Sequence, residues 1–319
     1  MRSILPLLLV LALGANANSA DDDARAALGV APAEPRLLLP GVVSTADDDC
    51  HATLSPDGKT LYFLKDTPSF DLYTIVSVER RAGAWTRPRT VPFSGQYPDG
   101  DLAFTADGRR AYFVSSRPVD GKPRADTEIW TVERDAAGRF GTPRHVTELS
   151  SPSDEWFPTP TADGTLYFGS GRAGGLGGSD IWRARRAGDR FAPPENLGAP
   201  VNSPGDEIEA LVTPDERAMV FSAKGRGDSL GSYDLYVSRR VDGKWQTPRH
   251  PGAPVNSAAW EFGPRLSPDG TLFFFSSNRG FGATALPRAL SFDELEVRLH
   301  QPGNGLRDIY VVDPRALGL

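Results

Sequence analysis

Read along its length, the chain alternates apolar runs with polar turns built on an aspartate, and this alternation recurs five times. Leu54-Ser-Pro-Asp-Gly-Lys-Thr-Leu-Tyr-Phe63, Phe104-Thr-Ala-Asp-Gly-Arg-Arg-Ala-Tyr-Phe113, Pro160-Thr-Ala-Asp-Gly-Thr-Leu-Tyr-Phe168, Val212-Thr-Pro-Asp-Glu-Arg-Ala-Met-Val-Phe221 and Leu266-Ser-Pro-Asp-Gly-Thr-Leu-Phe-Phe274 are copies of one unit. Their aspartates, Asp57, Asp107, Asp163, Asp215 and Asp269, are separated by 50, 56, 52 and 54 residues. An Asp-Gly turn supplies the positive φ of a tight hairpin, so each copy begins with two antiparallel strands. A third strand follows at Asp71–Val76, Glu128–Val132, Asp180–Ala184, Asp234–Ser238 and Asp308–Val312, and a fourth is predicted to begin near Trp85, Phe140, Phe191 and Trp245. Four strands in a unit of this period describe a propeller blade.

The two ends of the pattern fit one another. The fifth copy stops at Leu319 after its third strand, while Arg36-Leu-Leu-Leu39 precedes the first copy, so the two pieces are predicted to complete one blade. Closing the ring this way leaves no unpaired sheet edge. The fold expected is all-β: a five-bladed propeller of four-stranded antiparallel blades spanning 34–319. The fifth copy carries an insertion at 280–305, in which Ser291-Phe-Asp-Glu294 reads as a capping box opening a short helix. Such an insertion often lies on a binding face.

The run from Thr161 to Trp182, Thr-Ala-Asp-Gly-Thr-Leu-Tyr-Phe followed by Ser-Gly-Arg-Ala-Gly-Gly-Leu-Gly-Gly-Ser-Asp-Ile-Trp, resembles the WD40-like PD40 repeat of TolB-type propellers. The resemblance covers nearly all of the chain from about residue 35 onward. It implies a periplasmic protein that binds partner proteins at the mouth of the propeller. Because TolB-type propellers have six blades, it also supplies the alternative architecture, a six-bladed ring.

Composition narrows the class. Gly (33) and Pro (28) together are too abundant for a helical bundle, and 39% hydrophobic residues suffice for a core. A formal charge of −6 argues against a partner with a phosphate backbone, so no nucleic-acid partner is expected. Met1-Arg2-Ser3, the apolar run Ile4–Leu13 and the small residues up to Ala20 read as a secretory signal peptide, cut after Ala17, Ser19 or Ala20. That run is too short to span a bilayer, so no transmembrane segment is expected, and residues 21–33 read as a flexible segment. The mature protein is expected in the periplasm or secreted, as a monomer. Cys50 has no partner for an internal disulfide and reads as a small buried residue.

Repetition separates positions that serve the blade from positions that do not. Eight residues before each turn aspartate stands an acid: Asp49, Asp99, Glu155, Glu207 and Glu261. Arg117, Arg172 and Arg279 follow the hairpin aromatics at a fixed distance, with Arg226 offset by one, and could pair with these acids. Six residues before the turn the copies disagree: His51, Asp101, Phe157, Glu209 and Gly263. Alternation along a strand would carry these side chains toward the channel, and polar groups converging in a concavity mark a binding site. Blade one holds Asp47, Asp48, Asp49 and His51 together, with Thr67 where the other blades have arginine. Carboxylates left unpaired there would offer oxygen ligands to a hard cation such as Ca²⁺, though the spacing matches no Ca²⁺ loop, and no cofactor is expected. Trp156 and Trp260 flank the acidic ring and could stack on a sugar or anchor a partner.

No nucleophile elbow, His-Glu-x-x-His motif or cysteine pair is present. The primary expectation is therefore a non-enzymatic exported scaffold that binds a periplasmic or envelope protein or peptide at an acidic channel mouth. Its candidate residues are Asp48, Asp49, His51, Asp101, Trp156, Glu209, Trp260 and Arg265. The alternative is a carbohydrate-active hydrolase acting on a glycan, with Asp101 and Glu209 as acid/base pair and Trp156 or Trp260 as sugar platform. The alternative survives only if those two carboxyls face each other across an open pocket.

Overall fold

The structure is a computed structural model that describes residues 24–281 and 286–319; the expected signal segment, 1–20, lies outside them. The fold is a five-bladed β-propeller, so the six-bladed alternative does not hold. Blade one is built from Asp48–Leu54, Thr60–Asp66, Tyr73–Arg81 and Arg89–Thr90, and blade two from Asp99–Phe104, Arg110–Ser115, Glu128–Glu133 and Arg144–His145. Blade three comprises Glu155–Pro160, Leu166–Ser170, Asp180–Ala184 and Glu195–Asn196, and blade four Asp206–Val212, Ala218–Lys224, Asp234–Val241 and Lys244–Trp245. Blade five takes Glu261–Leu266, Phe273–Ser277 and Asp308–Val312 from the C-terminal end and Arg36–Leu37 from the N-terminal end.

The second strands carry no clean alternation because both of their faces are covered. In blade one, Leu61 and Phe63 pack with Leu272, Phe274 and Ile309 of blade five, while Tyr62 and Leu64 pack with Leu102, Ala111 and Phe113 of blade two. Two-sided burial of this kind selects continuous apolar runs. The core is thus a set of layers between blades.

The fourth strands differ from expectation. Trp85, Phe191 and Trp245 close short hairpins off the tip of the third strand, opposite Arg80, Arg186 and Arg240. Pairing with the body of the third strand starts only past the prolines at 88, 143, 194 and 248, where Thr90 faces Val76, Arg144 faces Thr131, Glu195 faces Arg183 and Arg249 faces Val237. Proline has no N–H to give the ladder, so it breaks the outer edge into two pieces.

Ring closure is as predicted: Arg36 pairs with Val311 and Leu37 with Tyr310, and Leu38 N–H donates to Ile309 O at 2.8 Å. Leu38 is buried, which contributes roughly 1.5–3 kcal/mol. The segment read as flexible is instead packed from residue 24 onward. Ala24–Ala27 forms a helical turn with Ala24 fully buried, Arg25 N–H donates to Gly58 O, and Pro32 O accepts from Asp313 N–H. Small residues there fit against blade one, where solvated chain was expected.

In the insertion, Ser291 caps the helix Phe292–Leu299 reciprocally with Glu294. None of the helix side chains is buried. Among the described residues no helix is long and apolar enough to cross a membrane.

Candidate functional site

Three layers of side chains line the axis. The first is the ring of acids, which turns out to be internal. Asp99 meets Arg117 at 2.6 Å, Glu155 meets Arg172 at 2.7 Å, Glu207 meets Arg226 at 2.8 Å and Glu261 meets Arg279 at 3.0 Å, and every one of the acids is fully buried. Each arginine also donates to a carbonyl of the loop entering its blade, at Phe93, Leu149, Val201 and Val255. Each lies over aromatic rings of its own blade, such as Phe168 and Trp182 under Arg172. Hydroxyls four residues before the acid complete the set: Thr45, Ser151, Ser203 and Ser257 donate to Asp49, Glu155, Glu207 and Glu261. That Ser/Thr spacing is a sequence signal that the repeat comparison passed over.

Blade one departs from expectation. Asp48 and Asp49, read as unpaired, are both engaged. Lys65 Nζ stands 2.7 Å from Asp49 Oδ1, and Arg307 grips Asp48 with Nη2 to Oδ2 at 2.9 Å. Arg307 also reaches Asp66 and the Thr67 carbonyl and lies over the Phe70 ring. It arrives from blade five, while Lys65 supplies Asp49 with the cation that the arginine gives the ring acid in the other blades. Asp48 and Asp49 are therefore not free acids at the channel mouth, because burial retains a carboxylate only with a partner. Among the described residues no group of three or more His, Cys, Asp or Glu is arranged to hold a metal ion. Cys50 is buried beside this cluster, donating to Asp66 at 3.0 Å, and burial pushes its thiol well up, which makes it unreactive.

The second layer is where the blades differ. His51, Asp101, Phe157, Glu209 and Gly263 all have positive φ, between 52° and 63°. Each is the extra residue of a bulge: in blade one Asp49 faces Lys65 but Thr53 faces Tyr62, so one residue has been inserted. The side chains reach the axis through this left-handed bulge, not through strand alternation as expected. Gly263, one glycine among five equivalent positions, was the available sign of such a backbone.

On the axis His51 sits between the two carboxylates. Its Nδ1 is 3.4 Å from Asp101 Oδ1 and its Nε2 is 3.3 Å from Glu209 Oε1. The other carboxylate oxygens accept bulge N–H groups of the following blades, Phe157 to Asp101 at 2.9 Å and Gly263 to Glu209 at 2.7 Å. The His51 N–H donates to Ser276 Oγ, and its ring packs on Phe157 and Phe262. Burial alone would lower the His51 pKa, but Glu209 and Asp101 outweigh it and hold it above its usual value. Burial, opposed by His51 and reinforced by Glu209, holds Asp101 above the usual carboxylate range. Asp101 and Glu209 are therefore brought together, but through an imidazole that fills the space between them.

The third layer is Thr53, Ala103, Thr159, Leu211 and Arg265. Arg265 crosses the channel, donating to Thr159 Oγ1 at 2.9 Å and lying 3.4 Å over the Phe157 ring. Burial, opposed by Asp101 and Glu209, lowers its pKa to about 9, which leaves it charged at neutral pH.

Of the tryptophans, Trp260 packs between Tyr233 and Phe262, so it is no free platform. Trp156 is half-buried next to Gly169. The loop face of the ring carries a different feature. The carboxylates of Asp180 and Asp234 accept from the loop N–H groups of Leu176 and Leu230, and Gly177 and Gly231 press against Gly205 O and Ala259 O, where a Cβ would stand 1.8 Å away. These constraints leave Leu176 and Leu230 at the loop tips, 53% and 51% exposed.

No family model matches the chain, and no curated protein matches its sequence. Solved structures similar to it include the alpha-L-arabinofuranosidase from Lactobacillus brevis, with a TM-score of 0.46 and 14% identity over 86% of this chain and 92% of that one. A Mycobacterium tuberculosis puromycin-hydrolyzing peptidase gives 0.42 and 15% identity over 76% of this chain and 36% of its own. Kuenenia stuttgartiensis hydrazine synthase gives 0.41 and 13% identity over 81% and 84%. Likeness at this level carries nothing about activity.

Proposed function

We propose that this protein is an exported, non-enzymatic propeller scaffold, similar to TolB-type PD40 propellers, that binds a protein or peptide partner in the periplasm on the face formed by the loops following the second strands. The observation that carries the reading is the apolar surface on that face. Leu72, Leu176 and Leu230 stand exposed there, and the insertion adds Phe281, Leu295, Leu299, Phe292 at 70% exposure and Val297 at 64%. Large exposed apolar side chains gathered on one face mark an interaction surface. The acids behind them are neutralised, so apolar contact, and not charge complementarity, would supply the affinity.

The hydrolase alternative rests on the axial pair Asp101 and Glu209. An acid/base pair needs room between its carboxyls for substrate or water, and the His51 ring occupies that room.

The test is site-specific photo-crosslinking in the producing cell, with a photoreactive residue at Leu176, Leu230 or Phe292, and at Val30 or Val241 on the opposite face as controls. A discrete adduct from the first three positions and none from the controls is expected. Equal labelling at all five, or glycoside hydrolysis that Asp101→Asn abolishes, would overturn the proposal.

A further inference from the structure

At the far end of the channel from the loop face lies a cavity of about 240 Å³, lined by the ends of the innermost strands of all five blades and by turn residues of four of them. Its walls are mainly apolar, with Leu54, Phe104, Leu211, Pro56 and Pro214 among them, and Ala106 and Pro268 are exposed at its opening. Of the five equivalent positions in its inner layer, four hold Thr53, Ala103, Thr159 and Leu211, and only blade five supplies a charge, Arg265.

The partners of that guanidinium are unusual for a side chain only 5% exposed. It donates to the Thr159 hydroxyl, and at 3.5 Å to the carbonyls of Asp101 and Pro158; among the described residues none of its partners is a carboxylate. The two axial carboxylates, Asp101 and Glu209, are committed to His51 and to bulge N–H groups. The four arginines that follow the second strands, Arg117, Arg172, Arg226 and Arg279, by contrast each hold an acid. A buried cation without an ion pair is costly, and a guanidinium is shaped for bidentate contact with a carboxylate.

We infer that the cavity at the turn end of the channel is a ligand site for a carboxylate carried on a small apolar group, with Arg265 as the residue that receives the anion. One cation and, among the described residues, no second basic group in the lining suit a monoanion. The volume, below the roughly 300–1,000 Å³ of drug-sized sites, suits a short aliphatic or aromatic acid or the last residue or two of an apolar chain end. This site is separate from the loop face and does not depend on the partner proposed above.

The test is calorimetric titration of the full mature protein with hexanoate and with hexanamide, and with an apolar tetrapeptide bearing a free or an amidated C-terminus. Acid is expected to bind at least tenfold tighter than its amide in one of the two pairs. Preference within the first pair assigns the site to a small acid, and preference within the second to a chain end. Arg265→Met should erase the preference. Ala106→Trp, at the exposed rim and clear of the core, should weaken acid binding at least tenfold while leaving Arg265 in place. Equal affinity of acid and amide in both pairs, no binding by either acid, or unchanged acid binding in Ala106→Trp would overturn the inference.

Discussion

Gly263 and His51 occupy one space at the propeller axis: a Cβ on Gly263 would stand 2.6 Å from His51 Cδ2. The ring of blade one lies where blade five has no side chain, and this is how five bulge residues fit a channel that holds only four side chains. Gly263→Ala is expected to cost about 1–3 kcal/mol through overpacking. In a double-mutant cycle with His51→Ala, the Gly263→Ala penalty should shrink by roughly 1 kcal/mol or more, read by urea denaturation. Additive losses would mean the two residues do not meet.

The ring arginines are structural clasps, and their energetics should differ from those of surface pairs. Arg226→Ala leaves Glu207 buried without its cation and is expected to cost roughly 3–5 kcal/mol. Arg315→Ala, which breaks a pair whose arginine is largely in solvent, should leave stability nearly unchanged. Similar midpoints for the two variants would contradict the internal role of the ring.

The N-terminal strand holds the ring shut. Leu38→Ala removes a fully buried side chain at the closure and should cost roughly 2–5 kcal/mol. Deleting residues 24–39 uncovers the edge of Asp308–Val312, so the truncated chain should associate in a concentration-dependent way that light scattering would register. A monodisperse, equally stable truncation would count against this closure.

Stability should fall as pH rises from about 5 to 8.5. Burial pushes the carboxyls of Asp308, Asp66 and Glu155 up to about 6, 7 and 8. The folded chain thus holds these protons more tightly than the unfolded one, and their contribution is lost as pH climbs through those values. His51, raised by Glu209 and Asp101 against burial, has the same sign: its contribution is present below its unfolded pKa and lost on passing the folded one. Asp107 and Asp215, held low by the hydroxyls of Thr105 and Thr213, act oppositely, and their contribution disappears only on acidification below the usual carboxylate range. Thermal midpoints measured from pH 4 to 9 should peak near 5; a midpoint that stays level or climbs between 5.5 and 8.5 would refute this account.

What the amino-acid order determined by itself was everything repeated or local. The period of about fifty residues, the Asp-Gly hairpins, the Ser291 capping box and the shared fifth blade all follow from patterns within one unit or from the fit of two chain ends. The pairing of Asp99 with Arg117 and its counterparts was legible because both partners recur at fixed offsets. Only the tertiary structure decided what happens where the blades differ. Arg307 reaches Asp48 across 259 positions because ring closure brings blade five beside blade one, a neighbour relation no local spacing encodes. Likewise the meeting of His51, Asp101 and Glu209 depends on left-handed bulges that turn three side chains out of the strand pleat onto a common axis. Arg265 reads in the sequence as one polar residue in an apolar strand, and its lack of a carboxylate hydrogen-bond partner follows from which side chains the other four blades place around it. Short-range chemistry selects the blade, whereas the lining of the channel is set by distances between residues that the chain itself keeps far apart.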